Sequence, residues 1–140
     1  MQSLEIYLTF NGDCKQAIEH YAKVFDGEIT VMNTFAEMPP DPDHPMPEEL
    51  KDQVMHCTLE LKPGVILMAS DTMEGDVSQG NNFTISVVPD SKEEVETLCA
   101  ALSEGGEVIM PPADTFWGAY FAMCKDKFGI NWMFNYGTEE

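Results

Sequence analysis

His56 is the residue of this chain best suited to proton transfer, because a neutral imidazole can accept or donate a proton near pH 7. It lies in the segment VMHCTLEL. The alternation in this segment predicts a β-strand that sends His56, Thr58 and Glu60 to one face and the residues between them towards a helix. The sequence leaves three roles open for His56: general base, ligand anchor, or hydrogen-bonded core residue.

Other reactive side chains favour structural roles. Ser70 has no GxSxG sequence around it and no suitably spaced base, which argues against a serine nucleophile. The two aspartates beside predicted turns, Asp71 and Asp126, are expected to accept hydrogen bonds from backbone amides. The four cysteines, Cys14, Cys57, Cys99 and Cys124, are widely spaced and form no CxxC pair. We therefore expect reduced thiols, with all but Cys14 on apolar faces or strands.

Two segments of the chain share one pattern of strand, glycine turn and strand. The first is QVMHCTLELKPGVILMASD (53–71) and the second is GAYFAMCKDKFGINWMFNY (118–136). A repeat of supersecondary units constrains the architecture before any single residue is interpreted. At one constant offset the segments align His56 with Phe121, Thr58 with Met123, Glu60 with Lys125 and Met68 with Met133.

The repeat extends towards the N-terminus of each half. LEIYLTF and NFTISVV each read as a strand that precedes an amphipathic helix. Asp13 is the expected N-cap of the first helix, while Ser91 and Glu94 form a capping box for the second. Another strand follows each helix, EITVMNTF and EVIM. The order βαβββ, twice, predicts an α+β fold with helices at about 13–25 and 91–103, module 1 at about 1–75 and module 2 at about 80–137.

Residues 37–52 interrupt the periodicity of module 1. The stretch AEMPPDPDHPMPEELKD (36–52) contains five prolines and several acids, which exclude a regular strand or a long helix. Module 2 has only the short MPPADTF at this point. Such an insertion is either a mobile loop or a flap over a site.

The composition excludes some partners. The net charge is −18, with seven lysines and no arginine, so nucleic acid is not an expected partner. The acidity fits a solvated surface or a cleft that attracts cations. The sequence has no apolar run long enough to span a bilayer and no charged-then-apolar leader, so we expect a soluble cytoplasmic protein with no membrane partner.

The duplicated βαβββ unit resembles the vicinal oxygen chelate superfamily, which includes glyoxalase I, extradiol dioxygenases and bleomycin-resistance proteins. YLTFNGDCKQAIEHYAKVF, VMHCTLEL with VILMASD, and ADTFWGAYFAMCKDKFGINWMFN are similar to its PhnB-like group. Some members of that group are labelled as methyltransferases, but this chain has no Gly-rich loop between a strand and a helix. The resemblance implies a single domain over 1–140, two open half-barrel mixed sheets with a shared concave cavity, and a homodimer.

The resemblance also assigns four metal-ligand positions, on the first and last strand of each module. These fall on Ile6, Met68, Thr84 or Phe83, and Met133, none of which suits a hard or borderline divalent ion. We therefore expect no metal and no cofactor. The cavity is expected to bind a ligand through residues from both modules; these are His56, Thr58, Glu60, Met68, Phe116, Trp117, Phe121, Met123 and Met133.

Two classes of function remain. The first is a protein without a metal that binds an apolar or aromatic small molecule, with a cationic one favoured by the negative charge and the aromatic residues. The alternative is an enzyme of the lyase, isomerase or dioxygenase type that acts on a small metabolite. In that enzyme His56 would be the acid or base, or an unrecognised divalent metal would take part.

Overall fold

The computed structural model describes residues 1–73 and 75–137, so residue 74 and residues 138–140 of the expected 1–140 domain lie outside the described part. The chain divides into two compact units, Met1–Val77 and Ser78–Glu140. Each unit has one helix and one four-stranded mixed sheet. The fold is therefore α+β with two βαβββ modules, as the sequence predicts.

The first unit contains a sheet in the order β1-β4-β3-β2. Strand β1 runs parallel to β4, and the other neighbours are antiparallel. The glycine turn between β3 and β4 is the one that the repeat predicts. The elements are β1 (Ile6–Phe10), α1 (Cys14–Phe25), β2 (Glu28–Thr34), β3 (Val54–Lys62) and β4 (Val65–Asp71).

The second unit has the same topology, with the strand order β5-β8-β7-β6. Strand β5 is parallel to β8, and the remaining pairs are antiparallel. The first strand is shorter than NFTISVV suggests. The elements are β5 (Ile85–Val87), α2 (Lys92–Ser103), β6 (Glu107–Asp114), β7 (Ala119–Lys125) and β8 (Asn131–Gly137).

Each helix packs on one face of its own sheet. In the first unit the Sγ atoms of Cys14 on α1 and Cys57 on β3 are 3.7 Å apart, so Cys57 faces the helix. In the second unit Cys99 on α2 is hydrogen-bonded to Cys124 on β7. All four cysteines are free and buried, as expected for core thiols. The two faces of each sheet therefore differ: one is covered by the helix, and the opposite one is the open face of that sheet.

The helix N-termini are capped in two different ways. Ser91 accepts a hydrogen bond from the backbone N–H of Glu94 at 3.0 Å, as predicted. Asp13 is the N-cap residue of α1, as predicted, but its side chain accepts no hydrogen bond from the first turn. The buried carboxylate of Asp71, at the end of β4, accepts instead from the backbone N–H groups of Gly12 and Cys14. A residue distant in sequence thus satisfies the first amide of the helix, that of Cys14, and the amide of Gly12 just before the N-cap.

The prolines have different effects in the two units. Residues 37–52 of the first unit form the expected irregular loop, with short 3₁₀ turns at Phe35–Glu37 and Glu48–Leu50. Whether this loop acts as a flap stays a prediction. In the second unit β6 continues through two prolines to Asp114. The strand tolerates them because its pairing with β7 has an irregularity between Met110 and Ala113, where no backbone N–H donor is needed from proline.

The described part of the chain contains no helix that is both long and apolar enough to cross a membrane.

Candidate functional site

Strand β3 divides its side chains between the two faces in the predicted way. Cys57 and Leu59 are fully buried towards the helix. His56, Thr58 and Glu60 alternate with them and are only half-buried. Three of the expected ligand-binding residues therefore share the open face of the first sheet.

His56 is held between two hydroxyl groups. Its Nδ1 lies 3.0 Å from the phenol oxygen of Tyr7, and its Nε2 lies 3.2 Å from Oγ1 of Thr58. The rings of Tyr7 and His56 are stacked, with centroids 5.7 Å apart and planes inclined at 22°. We call these three residues the Tyr7–His56–Thr58 array. It fixes the orientation of the imidazole while both partners can act as donor or acceptor.

Met68 lies beside this array. The strand register pairs it with Tyr7 on one side and with Thr58 on the other. Paired residues of neighbouring strands point to the same side of a sheet, so Met68 contributes a thioether to the open face. The register pairs Ile6 with Leu67, which is buried. Ile6 and Met68, two of the positions that the resemblance assigns, therefore point to opposite faces, and Tyr7 is the β1 residue beside Met68.

Glu60 extends the same face towards the end of β3. Its partner across β2 is Glu28, so two carboxylates stand directly opposite each other in the ladder. Glu60 is half-buried and Glu28 is exposed. Like charges opposed in this way repel each other. The open face of the first sheet consequently has a methionine beside a hydrogen-bonded polar array at its centre and negative charge at one end.

In the second unit the corresponding face is more apolar. Met123 pairs with Met133 across β7 and β8, and Phe121 pairs with Asn135. Ser86, and not Thr84 or Phe83, is the β5 residue that pairs with Met133. Phe121, Met123 and Met133 thus share one face, as the repeat predicts.

The turn before β7 carries two exposed aromatic side chains. Phe116 is 98 % exposed and Trp117 is 52 % exposed. Trp117 makes edge-to-face contacts with Phe116 and with Phe121, at centroid distances of 5.1 and 5.6 Å. This aromatic cluster joins the turn to the open face of the second sheet. Tyr120 points the other way, and its hydroxyl donates to Glu96 on α2 at 2.6 Å.

The buried thiols are paired with each other and do not face the array. The hydrogen bond between the two sulfurs raises the pKa of Cys14 and lowers that of Cys57. The second pair behaves in the same way, with the pKa of Cys124 raised and that of Cys99 lowered by their hydrogen bond. A reactive thiolate needs access as well as a low pKa, so these groups are structural.

Comparison with known proteins identifies the family. The profile of the Glyoxalase/Bleomycin resistance protein/Dioxygenase superfamily matches residues 4–134. The chain belongs to this superfamily.

Individual superfamily relatives cover nearly the whole chain. Protein YjdN from Escherichia coli K12 is 29% identical over 138 residues, which span 94% of this chain and 93% of that protein. The crystal structure of protein PA1353 from Pseudomonas aeruginosa is 37% identical, with a TM-score of 0.82 over 98% of this chain and 100% of that one. A Bacillus cereus structure described as a putative 3-demethylubiquinone-9 3-methyltransferase, PhnB protein, is 23% identical, with a TM-score of 0.78 over 97% and 100% of the two chains.

A divalent metal of the kind used by some superfamily members does not fit the residues present. The positions that the resemblance assigns hold Ile6, Met68, Thr84 or Phe83, and Met133. The residues that the strands pair on the open faces are Tyr7 with Met68 in the first unit and Ser86 with Met133 in the second. Thioethers suit soft ions such as Cu(I) and are poor ligands for magnesium, zinc, nickel or iron. Over residues 1–73 and 75–137 no three His, Cys, Asp or Glu side chains are grouped closely enough to bind a metal ion.

Tyr7 is the site residue that the sequence-based prediction missed. The alternation of LEIYLTF carried a signal for it. Phe10 is buried, and successive side chains of a strand point to opposite faces, so Tyr7, three positions earlier, must lie on the face opposite to that of Phe10. The pairing with Met68 adds the partner strand. The parallel register that joins β1 to β4 depends on residues far apart in sequence, so it was not readable from the local pattern.

Proposed function

We propose that this superfamily member binds a small molecule with an apolar or aromatic body, without using a metal. The observation that carries this proposal is the open face of the first sheet, where Met68 lies beside the hydrogen-bonded Tyr7–His56–Thr58 array. An apolar surface with a few fixed polar groups is the usual composition of a small-molecule site. Methionine also adapts to ligands of different shape.

A positive charge on the ligand is favoured by the electrostatics. The chain carries a net charge of −18. Glu60 and Glu28 lie at one end of the open face and have no neutralising partner opposite them in the ladder. A cation bound near this end would reduce their repulsion, and an aromatic side chain adds cation–π attraction. Tyr7 supplies an aromatic ring on the same face of the first sheet.

The test is a binding screen followed by thermal unfolding, with circular dichroism as the readout. The probes are ethidium, a planar aromatic cation, and uncharged benzophenone, each with and without Mg²⁺ or Zn²⁺. We expect binding that saturates at a fixed stoichiometry and a Tm that keeps rising with the free probe concentration, without consumption of the probe and without dependence on the metal.

Met68→Gln is the matched variant for this screen. It places an amide in the apolar part of the open face and should weaken both probes. Met73→Gln is the control, because Met73 is exposed beyond the end of β4 and outside the strand register. Equal effects of the two substitutions, or no Tm change with any probe, would refute the proposal.

Catalysis is the second candidate function, and the fixed orientation of His56 favours it. An imidazole held between two hydroxyl groups is placed to accept or donate a proton in a lyase- or isomerase-type reaction on a small metabolite. A dioxygenase-type reaction would need a redox metal, for which the donor set is unsuitable. The discriminating test is turnover of 2-oxoaldehyde adducts, whose rate should depend on pH and disappear in His56→Ala.

We further propose that the protein is a homodimer in the cytoplasm. Support for a dimer comes from the exposed apolar residues of β6 and of the aromatic turn, since surfaces of this kind often mark protein contacts. Support for a reducing compartment comes from the four free cysteines. Light scattering coupled to size-exclusion chromatography measures the oligomeric state, and a monomer at micromolar concentration would contradict the proposed dimer.

A further inference from the structure

Both hydrogen-bond partners of His56 are hydroxyl groups. Tyr7 meets Nδ1 and Thr58 meets Nε2. In the described part of the chain neither nitrogen meets a carboxylate or a backbone carbonyl, either of which would accept only and would fix the ring proton on one nitrogen. The array is therefore free to exist with the ring proton on either nitrogen.

Counting protons shows what the two forms have in common. The phenol of Tyr7, the neutral ring of His56 and the hydroxyl of Thr58 each carry one exchangeable proton, while the array contains two hydrogen bonds. One hydroxyl proton is therefore left unused at one end. With the ring proton on Nδ1, His56 donates to Tyr7, Thr58 donates to Nε2, and the phenol proton is left over. With the ring proton on Nε2, the unused proton belongs to Thr58.

The two ends differ in access and in donor strength. Tyr7 is 47 % exposed, whereas Thr58 is half-buried in the middle of the sheet, paired with Val31 and Met68. A phenol is a stronger hydrogen-bond donor than an aliphatic hydroxyl because its pKa is much lower. An acceptor that approaches the open face will therefore meet the phenol proton first. Binding such an acceptor favours the form with the ring proton on Nδ1.

We propose that Tyr7 is the ligand-contacting donor of this face and selects ligands with an oxygen acceptor, such as a ketone, attached to an apolar or aromatic body. His56 is a positioning residue behind it, and its tautomer reports whether the acceptor is bound. The apolar body lies against Met68, the common neighbour of Tyr7 and Thr58 in the ladder. This inference rests on the proposed small-molecule binding and names the polar group that is recognised.

The experiment compares two probes of nearly the same shape, benzophenone and diphenylmethane, which differ by a carbonyl oxygen. Nitrogen-15 NMR of the imidazole at constant pH measures the fraction of His56 with the proton on Nδ1. We expect benzophenone to raise this fraction and diphenylmethane to leave it unchanged. Because one hydrogen bond is gained, benzophenone should bind about five-fold more tightly.

Two variants separate the role of Tyr7 from a general effect on packing. Tyr7→Phe keeps the ring and should bring the affinity for benzophenone down to that for diphenylmethane, with the latter unchanged. Tyr120→Phe is the matched control, since that hydroxyl is bonded to Glu96 on the helix side of the second sheet. It should leave both affinities unchanged.

A second pair of variants tests the positioning role of His56. His56→Asn retains a polar group close to where Nδ1 meets Tyr7, and it should keep a preference for benzophenone. His56→Leu removes the partner of Tyr7 and should reduce that preference by allowing the phenol to rotate. Equal preference in the two variants would show that His56 does not position Tyr7.

The outcomes distinguish this inference from the proposed function. Equal affinity for benzophenone and diphenylmethane, or an unchanged tautomer when benzophenone is bound, overturns the role of Tyr7 and leaves small-molecule binding intact. Absence of binding by both uncharged probes overturns the inference, and if ethidium also fails to bind, the proposed function is overturned with it.

Discussion

Glu28 stands directly opposite Glu60 across strands β2 and β3, at the position where the second unit opposes Glu107 and Lys125. The two pairs are equivalent, because each follows a glycine that packs against the carbonyl of the facing residue: Gly27 on Glu60 and Gly106 on Lys125. The two units thus share this backbone arrangement but differ in the charge of the residue on the second strand of the pair, Glu60 in one and Lys125 in the other. Only the first unit has like charges opposed at this position, and this makes the end of its open face negative.

Exchanging the charge of Glu60 should change stability and binding in opposite directions. Glu60→Lys replaces a repulsion by an attraction to Glu28, so we expect the free energy of unfolding to rise by about 0.5 kcal/mol. The affinity for ethidium should fall, because a cation now occupies the favourable end of the open face. Urea denaturation at low and high salt measures the first effect, which should shrink with salt.

The matched control for Glu60→Lys is the reverse exchange in the second unit. Lys125→Glu opposes two carboxylates, Glu107 and the new one, and should lower the free energy of unfolding by a similar amount. A gain of affinity for ethidium in Glu60→Lys would contradict the electrostatic argument for a cationic ligand, whatever its effect on stability.

Two glycines that directly precede β-strands, Gly27 and Gly106, and one loop glycine, Gly80, give a graded test of close packing. A Cβ at Gly106 would overlap most severely, with the backbone oxygen of Lys125, which cannot move without disturbing the ladder. A Cβ at Gly27 would also meet a backbone oxygen, that of Glu60, but at the longer distance of 2.8 Å. At Gly80 the nearest atom is a side-chain atom of Asn82 at 3.4 Å. Alanine substitutions should therefore cost about 3, about 1.5 and less than about 0.5 kcal/mol in that order.

Chemical denaturation of the three variants provides the measurement. Because the compared positions have ordinary negative or extended backbone angles, the series isolates steric overlap from the conformational preference of glycine. A loss in Gly80→Ala as large as that in Gly106→Ala would show that the contacts do not determine the cost.

The sequence predicted the architecture well because its determinants are local. Alternation along β3, with Cys57 and Leu59 inward and His56 and Thr58 outward, follows from a period of two, and the glycine turn joins it to β4. Because of the internal repeat, each strand, turn or helix assigned in one unit has a counterpart assigned in the other. These patterns need no knowledge of which strand lies next to which.

The candidate site was only partly predictable because its remaining determinants are long-range. The pairing of Tyr7 with Met68 depends on a parallel register between strands separated by a helix and a hairpin. The amide of Cys14 at the start of α1 is bound by Asp71 and not by the side chain of the N-cap residue Asp13, and this has the same origin. Local propensity correctly identifies that a helix begins there, but it cannot identify a partner supplied by the last strand of the unit.

Asp71 should contribute strongly to stability without any part in ligand binding. Its carboxylate is buried and accepts from the backbone N–H groups of Gly12, Cys14 and Val54 at 2.8, 3.0 and 2.9 Å. Asp71→Ala would leave these amides unsatisfied, so we expect a loss of about 4 kcal/mol. Asp71→Asn should lose about half as much, since the amide oxygen can still accept while its NH₂ opposes a donor.

Calorimetric or urea unfolding of the two Asp71 variants measures these losses, with Asp52→Asn as a control at an exposed position where a change within about 0.5 kcal/mol is expected. A loss in Asp71→Ala no larger than in Asp52→Asn would show that the three amides find other partners.

Tyr120 should make the stability of the protein depend on pH in the alkaline range. The hydrogen bond to Glu96 favours the neutral phenol and raises the pKa of Tyr120, with burial and the charges of Glu96 and Asp114 acting in the same direction. A group whose folded-state pKa is raised stabilises the fold fully below its unfolded pKa, about 10 for tyrosine. The stabilisation is lost as the pH rises through the folded-state value.

The measurement is the difference in unfolding free energy between the wild type and Tyr120→Phe from pH 7 to pH 11. We expect the wild type to be more stable up to about pH 10, and the difference to shrink or reverse above that pH. Glu96→Gln should weaken this pH dependence in the wild-type background, because the carboxylate that raises the pKa is gone. A difference that grows above pH 10 would mean that the folded state prefers the phenolate, contrary to the observed bond.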